Sequence, residues 1–485
     1  MIRKWWSWVG ALMTTFLTLR YLLSRVRPVI LKPTEHHTDE LNGALTSLGV
    51  RRIVVSDLHL GGGDRLDDFS ADREFADFVS TYVVTEPTEL ILAGDTFEFL
   101  QVTLADVPDF EWTPRAAERR LTAILDAHPL VLDALVSFVR HDGMYLTLLV
   151  GNHDFEIHYR SAKHVLARRM ELAVDDPRIR FGIRYIGEGI FIEHGNQFEA
   201  WNSFVRFDGI SQPFELVRGT LAVKNVINPL ERAPLPIAPF IDNVKPSSAF
   251  LWHLLGLARL RDLQVVGFVL RGVILTVRSL LVPLSYRKSE TLDESITTVR
   301  HLQNQRRLKR ILDTTRRVVD RRGDRPQTSV PPYLVNHIER ESRRQLHREM
   351  REFNVSVLRE VVHIAHQPRH ATTRLFICGH THMAQHVPFN ERQTYVNVGT
   401  WTDVVIDITT GKRQTQRCPF LVIQVDGAGD VAHEFLVWRG NETAPTPWVP
   451  EGMARHRVLR TSHSPARFGS EAVTIPTWKN EGEQQ

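Results

Sequence analysis

The residues of this chain best suited to chemistry are aspartates and histidines standing in short glycine-flanked clusters. Asp57 and His59 are two apart; Asp95 follows Gly94; Asn152, His153 and Asp154 follow Gly151; His194 precedes Gly195; His380 and His382 follow Gly379. Singly, each cluster is a weak signal. Leaving Asp154 aside, together they offer two carboxylates, four candidate imidazole ligands, one carboxamide and one further histidine. Oxygen and imidazole donors without thiolate suit Mn, Fe, Zn or Co rather than a sulfur-ligated metal. A structural zinc site closes with four ligands, usually including cysteine. Seven ligands fit a two-metal centre in which one carboxylate is shared. Histidine is also abundant, 22 of 485 residues, which points the same way once the spacing supports it.

These clusters need elements to aim them. Ile53-Val54-Val55 runs into Ser-Asp-Leu-His, Leu90 to Ala93 into Gly-Asp, and Leu146 to Val150 into Gly-Asn-His-Asp. Ile190 to Ile192 runs into Glu-His-Gly, and Leu375 to Cys378 into Gly-His-Thr-His. Five short apolar strands thus each deliver polar residues at the C-terminal end, where sites assemble in α/β sheets. Helical stretches fall between them, as from Glu118 to Arg140. Tyr395 to Gly399 reads as another strand, and Phe420–Val425 with Val431–Val437 as a hairpin across Asp426-Gly427-Ala428-Gly429. The class is α/β.

In this order and on these strand ends, Asp57-x-His59, Gly94-Asp95, Gly151-Asn152-His153-Asp154, His194-Gly195 and Gly379-His380-x-His382 resemble the calcineurin-like metallophosphoesterase superfamily. The resemblance covers about 51–205 and 372–437. It implies a four-layer α/β/β/α sandwich of two sheets with helices outside. It implies that Asp57, His59 and His382 hold one metal, that Asn152, His194 and His380 hold a second, and that Asp95 bridges them. Two divalent ions outweigh the two carboxylates, attract a phosphate, and acidify a bridging hydroxide for in-line attack. Phosphomonoesters, phosphodiesters and pyrophosphates are all substrates of such a centre, with manganese first among the metals and iron, zinc or cobalt as alternatives. In the family His153 is no ligand: it stabilises the transition state or protonates the leaving group. Asp154 then orients its ring, or else caps the loop backbone.

The wording Ser56-Asp57-Leu58-His59-Leu60-Gly61-Gly62 and Gly94-Asp95-Thr96-Phe97-Glu98 is similar to the branch that hydrolyses the pyrophosphate of UDP-2,3-diacylglucosamine at membrane surfaces under a helical insertion. That reading makes the substrate lipid-linked. His153 stands where the commonest form of that branch has arginine, and the segment from His194 to His380 is much longer here. The secure expectation is hydrolysis of a phosphoester or pyrophosphate.

Length and composition set the frame. At 485 residues with 42% hydrophobic, the chain has room for two or three domains. A disulfide-stapled miniprotein and a disordered chain are excluded. The expected organisation is a membrane-associated helix over 1–30, a catalytic domain over 50–205 and 372–440, a helical cap over 206–371, and an extended tail over 441–485. The first segment carries an uncharged, mostly apolar run from Trp5 to Leu19, with Arg20, Arg25, Arg27 and Lys32 beyond it. Fifteen such residues are short for a span, while the basic excess places the globular part on the cytoplasmic side. Within the cap, Ala249 to Pro283 reads as an amphipathic basic helix, and Arg300–Glu360 carries 16 basic against 8 acidic residues. Only Tyr333 and Phe353 lie in that basic run as aromatics for base stacking. A solvated or lipid-facing helix therefore fits it better than a nuclease's grip on nucleic acid, which stays as an alternative, beside a non-catalytic scaffold.

Other candidates have plainer readings. His363, His366 and His370 sit at helical spacing, but Pro368 interrupts them and Val361, Val362 and Ile364 suggest a helix packing its apolar face. Cys378 falls in a buried strand, and with Cys418 it makes no disulfide framework. Gly399-Thr400 shapes the site floor through its backbone. Glu98 touches either the substrate or a group behind the ligands, and the sequence does not choose.

Overall fold

The computed structural model describes residues 30–43, 50–232, 271–272, 274–275, 357–407, 412–413, 417–426, 429–440 and 444–450. The expected N-terminal helix, nearly all of the basic run and most of the tail lie outside the described residues, as does the bulk of the cap. All the elements fall in the compact unit Met1–Trp448.

The β-branched and leucine-rich runs form strands because both of their faces are covered, so apolar residues can follow one another without alternation. In chain order the strands are β1 Lys32–His37, β2 Glu40–Asn42, β3 Arg51–Val55, β4 Thr88–Ala93, β5 Met144–Leu149 and β6 Ile179–Gly182. Next come β7 Arg184–Gly187, β8 Ile190–Ile192, β9 Gly209–Gln212, β10 Leu375–Cys378, β11 Gln385–Pro388 and β12 Thr394–Asn397. The last are β13 Val405–Asp407, β14 Lys412–Arg413, β15 Pro419–Val425, β16 Val431–Val437 and β17 Thr446–Pro447.

They make two principal sheets, both mixed. One has the order β17-β16-β15-β3-β4-β5-β6, with β3 to β6 parallel and β15, β16 and β17 joined antiparallel at its far side. The other has the order β11-β12-β10-β8-β7-β2, with β8, β10 and β12 parallel. β1 pairs with β9, and β13 with β14, in small ribbons. The hairpin expected after residue 419 is present, with Phe420 opposite Leu436 and Val425 opposite Val431.

Three apolar clusters hold these parts together. Val54, Ile91 and Leu149 of the first sheet pack directly on Ile190, Ile377 and Val396 of the second. On the first sheet's other side, Ile53, Leu90 and Leu146 meet Phe75, Leu121, Phe138 and Leu166. Those residues belong to α1 Asp72–Thr81, α2 Pro114–Ala127, α3 Pro129–Arg140 and α4 Arg160–Arg169. On the second sheet's other side, Phe191, Phe376 and Tyr395 meet Val357, Val361 and Ala365 of a helical stretch. His366 on that stretch is exposed with Nδ1 near Val362 O, and His370 packs between Phe191 and Phe376. His370 serves packing, and Cys378 is core.

The helical stretch expected across Glu118–Arg140 is present as two helices bent by 94°. Pro129 is the reason: it has no N–H to continue the first helix, but suits the first turn of the next. The pair is apolar, and Leu121, Ile124, Leu135 and Phe138 of it are packed in the core. Among the described residues no single helix is long and apolar enough to cross a membrane.

At the bend, His128 is buried between two carboxylates, with Nδ1 2.8 Å from Asp72 and Nε2 3.0 Å from Asp67. Asp67 also accepts from Gly63 N and Phe69 N, so the histidine ties the loop after His59 to the helical layer. Burial opposes charge on His128, but Asp67 and Asp72 outweigh it and raise its pKa. A raised folded pKa adds stability that is complete below the ordinary histidine value and is lost as pH climbs through the folded one. His128→Gln should therefore lower stability by roughly 1.5–3 kcal/mol at about pH 6, with the gap to wild type narrowing in alkaline buffer. Urea unfolding at both pH values checks this; a gap that widens with pH contradicts it.

Candidate metal centre

Each ligand cluster begins where a strand stops. Asp57 and His59 follow β3, Asp95 follows β4, Asn152 to Asp154 follow β5, His194 follows β8, and His380 and His382 follow β10. The sheet pairing continues past the strand ends. Asp57 N donates to Gly94 O (3.1 Å), His59 N to Asp95 O (2.9 Å) and Gly379 N to His194 O (2.8 Å). Thr400 Oγ1 and Trp401 N donate to Asp57 O at 2.6 and 3.4 Å, so the residue expected to act through its backbone contributes its hydroxyl as well.

The turns that present these side chains are strained. Among the described residues, eight non-glycine residues have left-handed φ, and five of them are Asp57, His59, Asp95, His380 and His382. Each costs about 1 kcal/mol or more, and the clustering marks this place as one where side-chain aim overrides backbone preference. Glycine is needed where the chains touch. A Cβ on Gly151 would lie 2.2 Å from Asp95 Oδ1, and one on Gly379 would lie 2.2 Å from Asp57 Oδ2.

The side chains converge in two groups. Asp57, His59 and His382 can place ligand atoms within 4.8 Å of one another, and so can Asp95, His194 and His380. Asp95 Oδ2 lies 2.9 Å from His194 Nε2 and 3.8 Å from His59 Nε2, which puts one carboxylate oxygen between the groups. His59 Nε2 and His382 Nε2 are 3.1 Å apart, and Asp57 Oδ1 is 3.4 Å from the latter. His153 joins His59 and Asp95 in an overlapping group.

The donors fit metal. His194 Nδ1 donates to Ala93 O (3.0 Å), which orients the ring with Nε2 turned inward, 2.9 Å from Asp95 Oδ2. Asn152 Oδ1 is buried with no hydrogen-bond partner among the described residues. His59 Nδ1 is held by Glu98 Oε2 at 2.7 Å, leaving Nε2 for the centre. A carboxylate behind a histidine ligand fixes its ring and raises its basicity. These buried His and Asp groups can hold metal ions.

The chain matches no protein-family model and no curated protein sequence. The chemistry of the site therefore rests on its own residues.

Its charges interlock. Burial pushes Asp95 toward neutrality, but His194 and His153 outweigh it and hold its carboxyl well below the usual range. Burial and then His153 and His59 act on Glu98 in opposite senses, and the rings win, bringing it down to about 2. Burial opposes charge on His194, yet Asp95 and Asp57 lift it to about 9. Burial, reinforced by the nearby Asp95 charge, pushes Asp154 up to about 7. The buried carboxylates around Asp95 thus favour positive charge on the imidazoles beside them.

One expected contact differs. The carboxylate on the His153 ring is Glu98, 2.6 Å from Nδ1, and not Asp154. Asp154 accepts from Gly151 N (2.6 Å) and Thr96 N (2.8 Å), which ties the turn after β5 to the turn after β4. Of the two readings left open for Glu98, the structure shows the one behind the ligands, since it holds the far nitrogen of His59. Its reach to two histidines from different strands was not legible in the sequence.

Glu98→Gln should keep the fold but weaken Mn²⁺ binding by about 10–100-fold, since His59 loses the carboxylate that orients it. Calorimetric titration of the metal-free protein reads this directly. Unchanged affinity would assign Glu98 to His153 alone.

Proposed function

We propose that this protein is a two-metal phosphoesterase of the calcineurin-like kind, hydrolysing a phosphomonoester, phosphodiester or pyrophosphate. The observation that carries the reading is the pair of buried ligand groups, Asp57-His59-His382 and Asp95-His194-His380, with an Asp95 oxygen between them. Sheet packed on sheet, with helices on both outer faces, supports a four-layer α/β/β/α architecture.

Divalent ions at such a centre, manganese before iron, zinc or cobalt, supply charge to attract a phosphate and acidify the attacking water. The chain's own part is to aim and to exclude. Asp57 is fixed at both carboxylate oxygens by His380 N, at 3.1 and 3.0 Å, and Asp95 Oδ1 is fixed by His153 N at 2.8 Å. Asn152 offers a buried amide oxygen with no hydrogen-bond partner among the described residues. His153 Nδ1–H donates a hydrogen bond to Glu98, so Nε2 is the atom left to face the substrate. Burial opposes charge on that ring, and Glu98 and Asp95 outweigh it and raise its pKa, which suits donation of a proton or a hydrogen bond to a leaving oxygen. The apolar run from Trp5 to Leu19 supports membrane association and a lipid-linked substrate as part of the same proposal.

Hydrolysis of bis-p-nitrophenyl phosphate by metal-free and Mn²⁺-reloaded protein tests this reading. Activity should appear with Mn²⁺ and disappear with Asp95→Ala. His153→Ala should keep its metal content by elemental analysis and lose about 10²–10⁴-fold in kcat. No turnover together with no bound metal would overturn the proposal.

A further inference from the structure

Two histidines outside the ligand groups meet across the sandwich. His386 lies on β11, an edge strand of the smaller sheet, and His433 lies on β16 of the larger one. Their Nε2 atoms are 2.9 Å apart. The ring centroids are 5.2 Å apart with the planes tilted by 34°, so the rings meet tip to tip and do not stack. Both positions belong to the interface between the sheets. Val387 packs on the outer cluster, which turns its neighbour His386 toward the larger sheet. His433 shares a strand face with Val431 and Phe435, both packed between the sheets. The residues opposite them in register, Val396 and Ile423, belong to the same apolar cluster. Where that cluster reaches the rim, two imidazoles thus stand in place of aliphatic side chains, His386 exposed and His433 half-buried.

Burial lowers the pKa of His386, and burial and then His386 bring that of His433 down to about 4. Both rings are therefore neutral at neutral pH, the form that binds metal. Among the described residues neither ring makes another hydrogen bond or an ion pair, so nothing there dictates which nitrogen carries the proton. With a proton on one Nε2, the pair is an N–H···N hydrogen bond. With both protons at Nδ1, two lone pairs share one gap.

We propose that His386 and His433 form a surface site for one divalent transition ion, copper(II) or nickel(II) before zinc, which clips the two sheets together at their rim. Metal–imidazole bonds of about 2.0–2.1 Å to nitrogens 2.9 Å apart enclose an angle of about 90° at the ion. That is the angle between neighbouring ligands in the tetragonal sites that copper(II) and nickel(II) favour, and it is narrow for tetrahedral zinc. The ion sits off the line between the nitrogens, and a swing of the exposed His386 ring admits it. Water fills the remaining positions. The site shares no residue with either candidate ligand group, and the inference does not depend on the phosphoesterase reading. It touches that centre only through the chain, since β11 begins three residues after His382.

The test compares full-length wild type, His386→Gln and His433→Gln, each stripped of metal, titrated with Cu²⁺ and freed of unbound ion by gel filtration. Elemental analysis then counts the copper retained. Wild type should hold one ion more than either variant, because glutamine offers no imidazole. Ions held by the candidate centre cancel in the comparison. The same titration with Mn²⁺ should give equal counts in all three proteins, since manganese ranks lowest in affinity for such nitrogen sites. Equal copper counts would leave the pair as a hydrogen bond between the sheets and overturn the inference. An extra Mn²⁺ ion in wild type would overturn the assignment to a tetragonal ion. Should His433→Gln fail to fold, His386→Gln decides alone, because its side chain is exposed and its loss leaves the core intact.

Discussion

The constraint on which everything else depends is electrostatic. Asp95 Oδ2 stands 2.9 Å from His194 Nε2 and 3.8 Å from His59 Nε2, and Asp57 and Glu98 crowd in from the flanks. Electron-pair donors at these distances repel unless positive charge sits among them, and a buried setting with little water makes the demand sharper. The same carboxylates outweigh burial at His59 and His194 and raise both pKa values, which favours positive charge on these rings. Metal ions meet the same demand with groups already fixed in position, at no further cost in ordering.

Holding that arrangement explains the odd local features. Left-handed φ at Asp57, His59, Asp95, His380 and His382 is unfavourable by itself, and the turns that adopt it are bound from several sides. Asp57 alone takes part in contacts to Gly94, His380, Thr400 and Trp401. Asp154 pins two of the loops to each other, and Glu98 binds two rings with one oxygen. The strain is local, and the support comes from the apolar packing between and outside the sheets.

The strands and the site were legible in the sequence for one reason: in a doubly covered sheet, an apolar run that stops at a polar cluster fixes both the strand and where its end points. That His194 and His380 meet across the chain was implied by the resemblance and not by the apolar runs themselves. What could not be read was whatever depends on contacts between loops. Asp154 looked like the partner of its neighbour His153, yet the ring turns to Glu98, because Asp154 is taken by the Gly151 and Thr96 amides. The break at Pro129 was visible in principle, but the apolar spacing ran through it. His386 and His433 had no motif at all; only their meeting across the sheets singles them out.

The donors divide between the two sheets. Asp57, His59, Asp95 and Asn152 follow strands of the larger sheet, while His194, His380 and His382 follow strands of the smaller. His59 and His382, 3.1 Å apart, are 323 positions distant in the chain. Such a site cannot nucleate early, because it exists only after both sheets have formed and closed on each other. Metal affinity is then a readout of completed folding. A chain that has docked its halves can hold ions and would gain their binding energy, while one that has not lacks the assembled groups and would be comparatively easy to unfold. The centre doubles as an inspection seal on the fold that carries it.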